Sequence, residues 1–297
     1  MIGPGETDDK TVHISNRIVT WCDRGIQYEA DQRHAELIVQ QLGLQSQSKM
    51  VGTPSIRQKS ECEDPLNPTD ATIYRGLAAR ANYLAQDRID IGFAVKEMCR
   101  HMSNPRQCDW DKLKRLGRYL AGKPRVVVNF EYQEVPSSLS VWTDTDHAGC
   151  LDTRKSTSGG VAMFGSHCLK SWSVNQQGIA LSSGEAEYYG LVKGASIALG
   201  LRAMLDDIGV QCGIVMCTDA SAAKAIASRR GLGKVRDIEL TQLWLQDQVA
   251  RNKIMLAKVQ GLSCSDNLTE HSGVERINKT MYHTNKVLSL IHISEPT

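Results

Sequence analysis

The chain has 297 residues, 41% of them hydrophobic, with a formal net charge of +2. That is enough apolar content for real cores and room for one large or two ordinary domains, and so small a net charge does not by itself announce a nucleic-acid binder. Nine cysteines occur without a Cys-x-x-Cys pair, and no signal peptide or membrane-length apolar run is present; reduced thiols in the cytosol or nucleus, and no membrane association, are the expectation.

In chain order, residues 11–15 and 17–22 read as strands. A helix follows, with Ala35, Leu37, Ile38 and Leu42 at helical spacing after Ala30-Asp31 and with Gly43 as its stop. Residues 44–71 are polar and hold Pro54, Pro65 and Pro68, which predicts a linker. Helices are predicted over 72–102, with a possible break at Ile89-Asp90-Ile91, and over 108–121; a strand is predicted over 126–130. From Leu139 the order is strand, strand (160–164), strand (168–174), a long helix (183–207), a strand ending at Asp219, helices over 220–228 and 238–251, a strand over 254–259 and a last helix over 267–282. The fold class is therefore α/β, with a mixed five-stranded sheet and helices on both faces, preceded by a mainly helical region. The closing run 288–297, Leu-Ser-Leu-Ile-His-Ile-Ser-Glu-Pro-Thr, resembles a translated sequencing adapter. Residues 286–297 are accordingly expected to be a non-native tail.

Three carboxylates stand out. Asp144 lies in the strand-like run Ser-Val-Trp-Thr-Asp, Glu187 in the first turns of the long helix, and Asp219 at the end of Gly-Ile-Val-Met-Cys-Thr-Asp. Ligands gather at the carboxyl ends of parallel strands. Clustered carboxylates repel one another unless a hard cation sits between them, and oxygen ligands suit Mg²⁺ or Mn²⁺. Local alternatives exist. Asp146 shares the strand face of Asp144. Glu185 competes with Glu187, although it is equally well explained as an acid facing the helix dipole. Asp219 would also serve as a helix cap, a role open to Ser221. Cys99, His101 and Cys108 fit no zinc spacing.

Basic residues cluster at Lys112, Lys114, Arg115, Arg118, Lys123 and Arg125, and again at Arg229, Arg230, Lys234 and Arg236. A charge run is ordinarily a solvated face. Beside a metal site for phosphodiester chemistry, phosphate contact is the better reading, and Lys112, Lys114, Arg115, Arg118, Arg154, Lys155, Arg229, Arg230 and Lys234 are the candidates.

The runs Thr143-Asp144-Thr145-Asp146-His147-Ala148-Gly149, Thr153-Arg154-Lys155-Ser156-Thr157-Ser158-Gly159-Gly160 and Ala180-Leu181-Ser182-Ser183-Gly184-Glu185-Ala186-Glu187-Tyr188 resemble the ribonuclease H domain of copia-type LTR retrotransposon Pol polyproteins. Residues 28–36 and 83–91 are similar to the end of the same reverse transcriptase, and the likeness covers roughly residues 17–285. It implies a thumb or connection fragment over 1–135, without the paired-Asp polymerase box, and a ribonuclease H domain over 136–285. The rest of the polyprotein (palm, fingers and integrase) would be absent from this chain. The implied activity is hydrolysis of the RNA strand of RNA–DNA hybrids with two Mg²⁺ or Mn²⁺ ions held by Asp144, Glu187, Asp219 and a fourth carboxylate. The family run Asn-Leu-Ala-Asp is Asn267-Leu268-Thr269-Glu270 here, so Glu270 is the fourth candidate and Asp266 its rival. That departure admits a second reading, a weakened, nucleic-acid-binding remnant. His271 is a surface histidine or a proton-transfer assistant. The family run Lys-His-Ile-Asp is Val235-Arg236-Asp237-Ile238-Glu239 here, without its histidine.

Overall fold

The computed structural model describes residues 1–44, 49–57, 64–231, 238, 240–259 and 265–289. The chain divides into two compact units, Met1–Tyr132 with His271–Thr297, and Gln133–Glu270.

In the first unit, β1 (Thr11–Ile14) and β2 (Arg17–Cys22) form a hairpin. Its two turn residues, Ser15 and Asn16, are both left-handed (φ 51° and 63°), the backbone that a tight two-residue hairpin requires. β3 (Gly25–Glu29) pairs with β2 and with β4 (Arg125–Glu131), and with the C-terminal β10 (Lys286–Ser289) the order is β1-β2-β3-β4-β10, all antiparallel. α1 (Gln32–Gln41) is capped by Asp31, which accepts from the Arg33 amide at 2.9 Å. α2 (Pro68–Leu84) starts inside the expected linker because Asn67 caps it and Pro68 occupies its first turn. The predicted break is real: a 3-10 turn at Ile89–Ile91 separates α2 from α3 (Gly92–Cys99). α4 spans Gln107–Gly122. Ile38, Tyr74, Leu77, Val95, Leu113 and Leu120 form the helical core. The expected helices are all present, and beside them stands a five-stranded sheet of which only β1, β2 and β4 were expected, each as a separate strand.

The second unit holds β5 (Ser138–Asp146), β6 (Thr157–Phe164), β7 (His167–Asn175), α5 (Ser183–Asp207), β8 (Gly213–Thr218), α6 (Ser221–Ser228), α7 (Trp244–Ala250) and β9 (Met255–Lys258). The sheet order is β7-β6-β5-β8-β9, antiparallel among the first three strands and parallel from β5 through β9. Two-residue alternation buries Leu139, Val141, Thr143 and Thr145 of β5 on one face. α5 covers that face closely: a Cβ on Gly190 would lie 2.5 Å from Thr145 Oγ1. On the opposite face a 3-10 turn, Asp266–Leu268, is held by Ser173 Oγ donating to Leu268 O at 2.6 Å.

The last predicted helix is shorter than expected. It ends as a single turn at Leu268, and helix resumes as α8 (Val274–His283), with Gly273 at its N-cap. α8 and β10 (Lys286–Ser289) lie in the first unit, where β10 pairs with β4 from Lys286↔Val128 to Ser289↔Arg125. Residues 286–289, expected to be tail, are thus an edge strand, because β4 offers them an open ladder; 290–297 lie outside the described residues. Among the described residues no helix is long and apolar enough to cross a membrane.

Candidate active site

Asp144, Glu187 and Asp219 come from β5, the second turn of α5 and the position just past β8. One carboxylate oxygen of each lies within 4.8 Å of the other two. Chain segments 43 and 32 residues apart converge because β8 runs parallel to β5, with Trp142 opposite Cys217, and α5 is the crossover between them.

The electrostatics of this cluster are costly. Burial, and then the charges of Asp144 and Asp219, push the Glu187 carboxyl up to about 8. Burial also raises Asp144, with Asp219 and Glu270 adding to it, while hydrogen bonds from Thr269 and the Thr145 amide act against it. Glu187 Oε2 is buried with no hydrogen-bond partner. A buried carboxylate oxygen lacking a donor is unfavourable unless something positive reaches it. Three hard oxygen donors around that orphan fit a divalent cation such as Mg²⁺ or Mn²⁺.

The rival acids stand apart from the three. Glu185 is buried and accepts from the Leu181 amide and from Tyr189 Oη, both at 2.8 Å, so it fastens the start of its own helix. Asp146 shares the Asp144 face, but its carboxylate lies where a Cβ on Gly149 would sit, over the turn after β5. Asp219 is not the cap of α6: that position is Ala220, whose amide donates to Thr218 Oγ1 at 3.1 Å. Glu270 is exposed and is not one of the converging three, although its charge reaches Asp144; the charge of Asp266 acts on Glu187. His271 is not a surface side chain. Its Nδ1 lies 2.8 Å from Ser55 Oγ and its ring meets Phe93 edge-on, in the first unit. The Arg236-Asp237-Ile238-Glu239 run falls outside the described residues apart from Ile238.

The basic candidates divide. Lys112 is paired with Asp109 at 2.9 Å, and Arg115 donates to Thr53 Oγ1 at 2.7 Å. Arg125, counted with the first cluster, is buried in an ion pair with Glu29, where β3 and β4 meet, so it is a structural charge. Lys114, Lys155 and Arg229 are half-buried; Arg118, Arg154 and Arg230 are exposed; Lys234 lies outside the described residues. One site residue escaped the sequence reading. Thr269 Oγ1 donates to Asp144 Oδ2 at 2.5 Å. Its signal was a hydroxyl immediately before the expected fourth ligand.

This sheet order, with α5 as the crossover between parallel β5 and β8 and three acids converging at their carboxyl ends, defines a ribonuclease H-like α/β domain. No family model matches the chain. Over 193 residues, 64% of this chain, it is 30% identical to the retrovirus-related Pol polyprotein from transposon RE2 of Arabidopsis thaliana, of which it covers 13%. Over 114 residues, 38% of this chain, it is 32% identical to secreted RxLR effector protein 161 of Plasmopara viticola, of which it covers 80%. LC11-RNase H1, isolated from compost by a metagenomic approach, aligns at 16% identity and a TM-score of 0.33 over 49% of this chain and 99% of that one. The chain is similar to the retrovirus-related Pol polyproteins of plant transposons, RE1 and RE2 of Arabidopsis thaliana and TNT 1-94 of Nicotiana tabacum among them. It spans 13% of the length of the RE2 and RE1 polyproteins.

Proposed function

We propose that residues 133–270 hydrolyse the RNA strand of RNA–DNA hybrids within a retrotransposon reverse transcriptase. The observation that carries this reading is the convergence of the Asp144, Glu187 and Asp219 carboxylates around a buried, unpartnered Glu187 oxygen. Bound divalent cations, two in the full site, would supply an activated water and charge stabilisation of the leaving 3′ oxygen. Asp144, Glu187 and Asp219 would hold and orient those ions, with Glu270 or Asp266 at the margin. Arg154 and Arg230, both exposed, are the candidates to meet phosphates, and recognition would rest on backbone shape and 2′-hydroxyls rather than on base identity. The first unit is the thumb or connection portion that carries the hybrid, and the remaining Pol segments are its partners.

The test is cleavage of an end-labelled hybrid by the full chain with Mg²⁺ and with EDTA. Asp144→Asn should abolish cleavage and leave hybrid binding largely intact, because it keeps the shape and removes a charge that holds metal. Hybrid binding without Mg²⁺-dependent cleavage by the unaltered chain would refute the enzyme and mark a binding remnant.

A further inference from the structure

We propose that Thr269 is a positioning residue for Asp144, setting the carboxylate orientation that lets the cluster take a divalent cation; this rests on the metal-dependent reading above. Thr269 is 2% exposed. Its hydroxyl has one proton and two acceptors in reach: Asp144 Oδ2 at 2.5 Å and its own turn's Asp266 O at 3.1 Å. The closer partner is the carboxylate, and a hydrogen bond to an ionised acceptor is the stronger kind.

The placement is built by the sheet. Asp144 faces Gly159 across the β5–β6 ladder, and Gly159 faces Ser173 across β6–β7. Paired residues share a face, so the three form one row. The Asp266–Thr269 segment lies over that row. Ser173 Oγ holds Leu268 O at 2.6 Å. Gly159 leaves the space: a Cβ there would lie 2.8 Å from both Leu268 Cβ and Thr269 Cγ2. A row of small side chains thus seats the turn at a depth from which the Thr269 hydroxyl reaches Asp144. With Oδ2 engaged by Thr269, rotation of the carboxylate away from Glu187 and Asp219 breaks a buried hydrogen bond. Partners of this kind fix a ligand's orientation, and their loss typically weakens metal affinity 10- to 100-fold.

The experiment is Mn²⁺ titration of the full chain, reading free Mn²⁺ by electron paramagnetic resonance, for wild type, Thr269→Val and Thr269→Ser. Val keeps the shape without the hydroxyl; Ser keeps the hydroxyl alone. Thr269→Val should weaken Mn²⁺ binding by about tenfold or more, and Thr269→Ser should stay within about threefold of wild type. Hybrid cleavage by Thr269→Val should recover at high Mn²⁺, which a disrupted fold would not allow. Equal Mn²⁺ affinity in wild type and Thr269→Val, with wild type active, overturns this inference and leaves the proposed function standing. Wild type that neither binds Mn²⁺ nor cleaves overturns both. Should Thr269→Val not fold, Ser173→Ala, which frees the turn without touching Asp144 or Thr269, must also weaken Mn²⁺ binding; an unchanged affinity there refutes the positioning role.

Discussion

Replacing Glu187 by Gln should stabilise the metal-free protein at alkaline pH and remove its response to Mg²⁺. Burial and the neighbouring Asp144 and Asp219 charges push Glu187 from the ordinary 4.5 to about 8. The folded state therefore holds the proton more tightly than the unfolded chain. Stability linked to that proton is complete below about pH 4.5 and is lost as the pH rises through about 8. At about 1.4 kcal/mol per pH unit the gap sets a ceiling near ~5 kcal/mol, which partial solvent screening brings down to roughly 2 kcal/mol. For a domain of this size that corresponds to roughly 6 °C in Tm. Gln is a permanently neutral isostere, so it escapes the loss. Calorimetry of the full chain in EDTA should show Glu187→Gln and wild type melting together at about pH 4 and separating progressively to a maximum above about pH 8. With Mg²⁺ at high pH the order should reverse, since cation binding stabilises only the carboxylate form. A gap in EDTA that does not change with pH, or a variant that gains as much from Mg²⁺ as wild type, would refute the reasoning.

Three further outcomes follow from the same geometry. Glu270→Ala should slow hybrid cleavage by roughly tenfold, far less than Asp219→Asn, because Glu270 only borders the cluster; Glu270→Asp should raise the rate if a methylene misplaces that carboxylate by ~1 Å, and single-turnover rates at fixed Mg²⁺ decide. Gly190→Ala should cost about 1–3 kcal/mol in denaturant unfolding, because a Cβ there meets Thr145 Oγ1 at 2.5 Å beneath α5. Asp90→Ala should destabilise the first unit by about 3–5 kcal/mol, because Arg88, fully buried and bound through Nε and Nη2 to both Asp90 oxygens, would be left as an uncompensated charge; a loss below about 1 kcal/mol would show that water reaches Arg88.

Much of the second unit was legible from residue order alone. Period-two alternation along β5, apolar runs in β6 and β8, and the long helical pattern of α5 are local signals, and each element appears within a few residues of its predicted place. The three acids were legible too, because each stands where a strand ends or a crossover helix begins. The sequence could not show which local rival would be spent elsewhere. Glu185 is claimed by Leu181 and Tyr189 through contacts that exist only once α5 is formed, and the Asp146 carboxylate lies beside Gly149 in the turn after β5. β3 was missed because Gly25–Glu29 carries little apolar patterning and becomes a strand by lying between β2 and β4. Arg125 read as one more surface cation until β3 and β4 brought Glu29 against it. The helix over 267–282 was overextended because its pattern was read across Gly273, whereas Leu268 is seated against β7 through Ser173 and α8 packs in the other unit. Local chemistry and spacing determined the elements and the acidic residue set. Long-range ladders decided which acids converge, which charges are buried, and that a threonine 125 residues from Asp144 would hold it, because pairing across a sheet depends on tertiary register and not on distance along the chain.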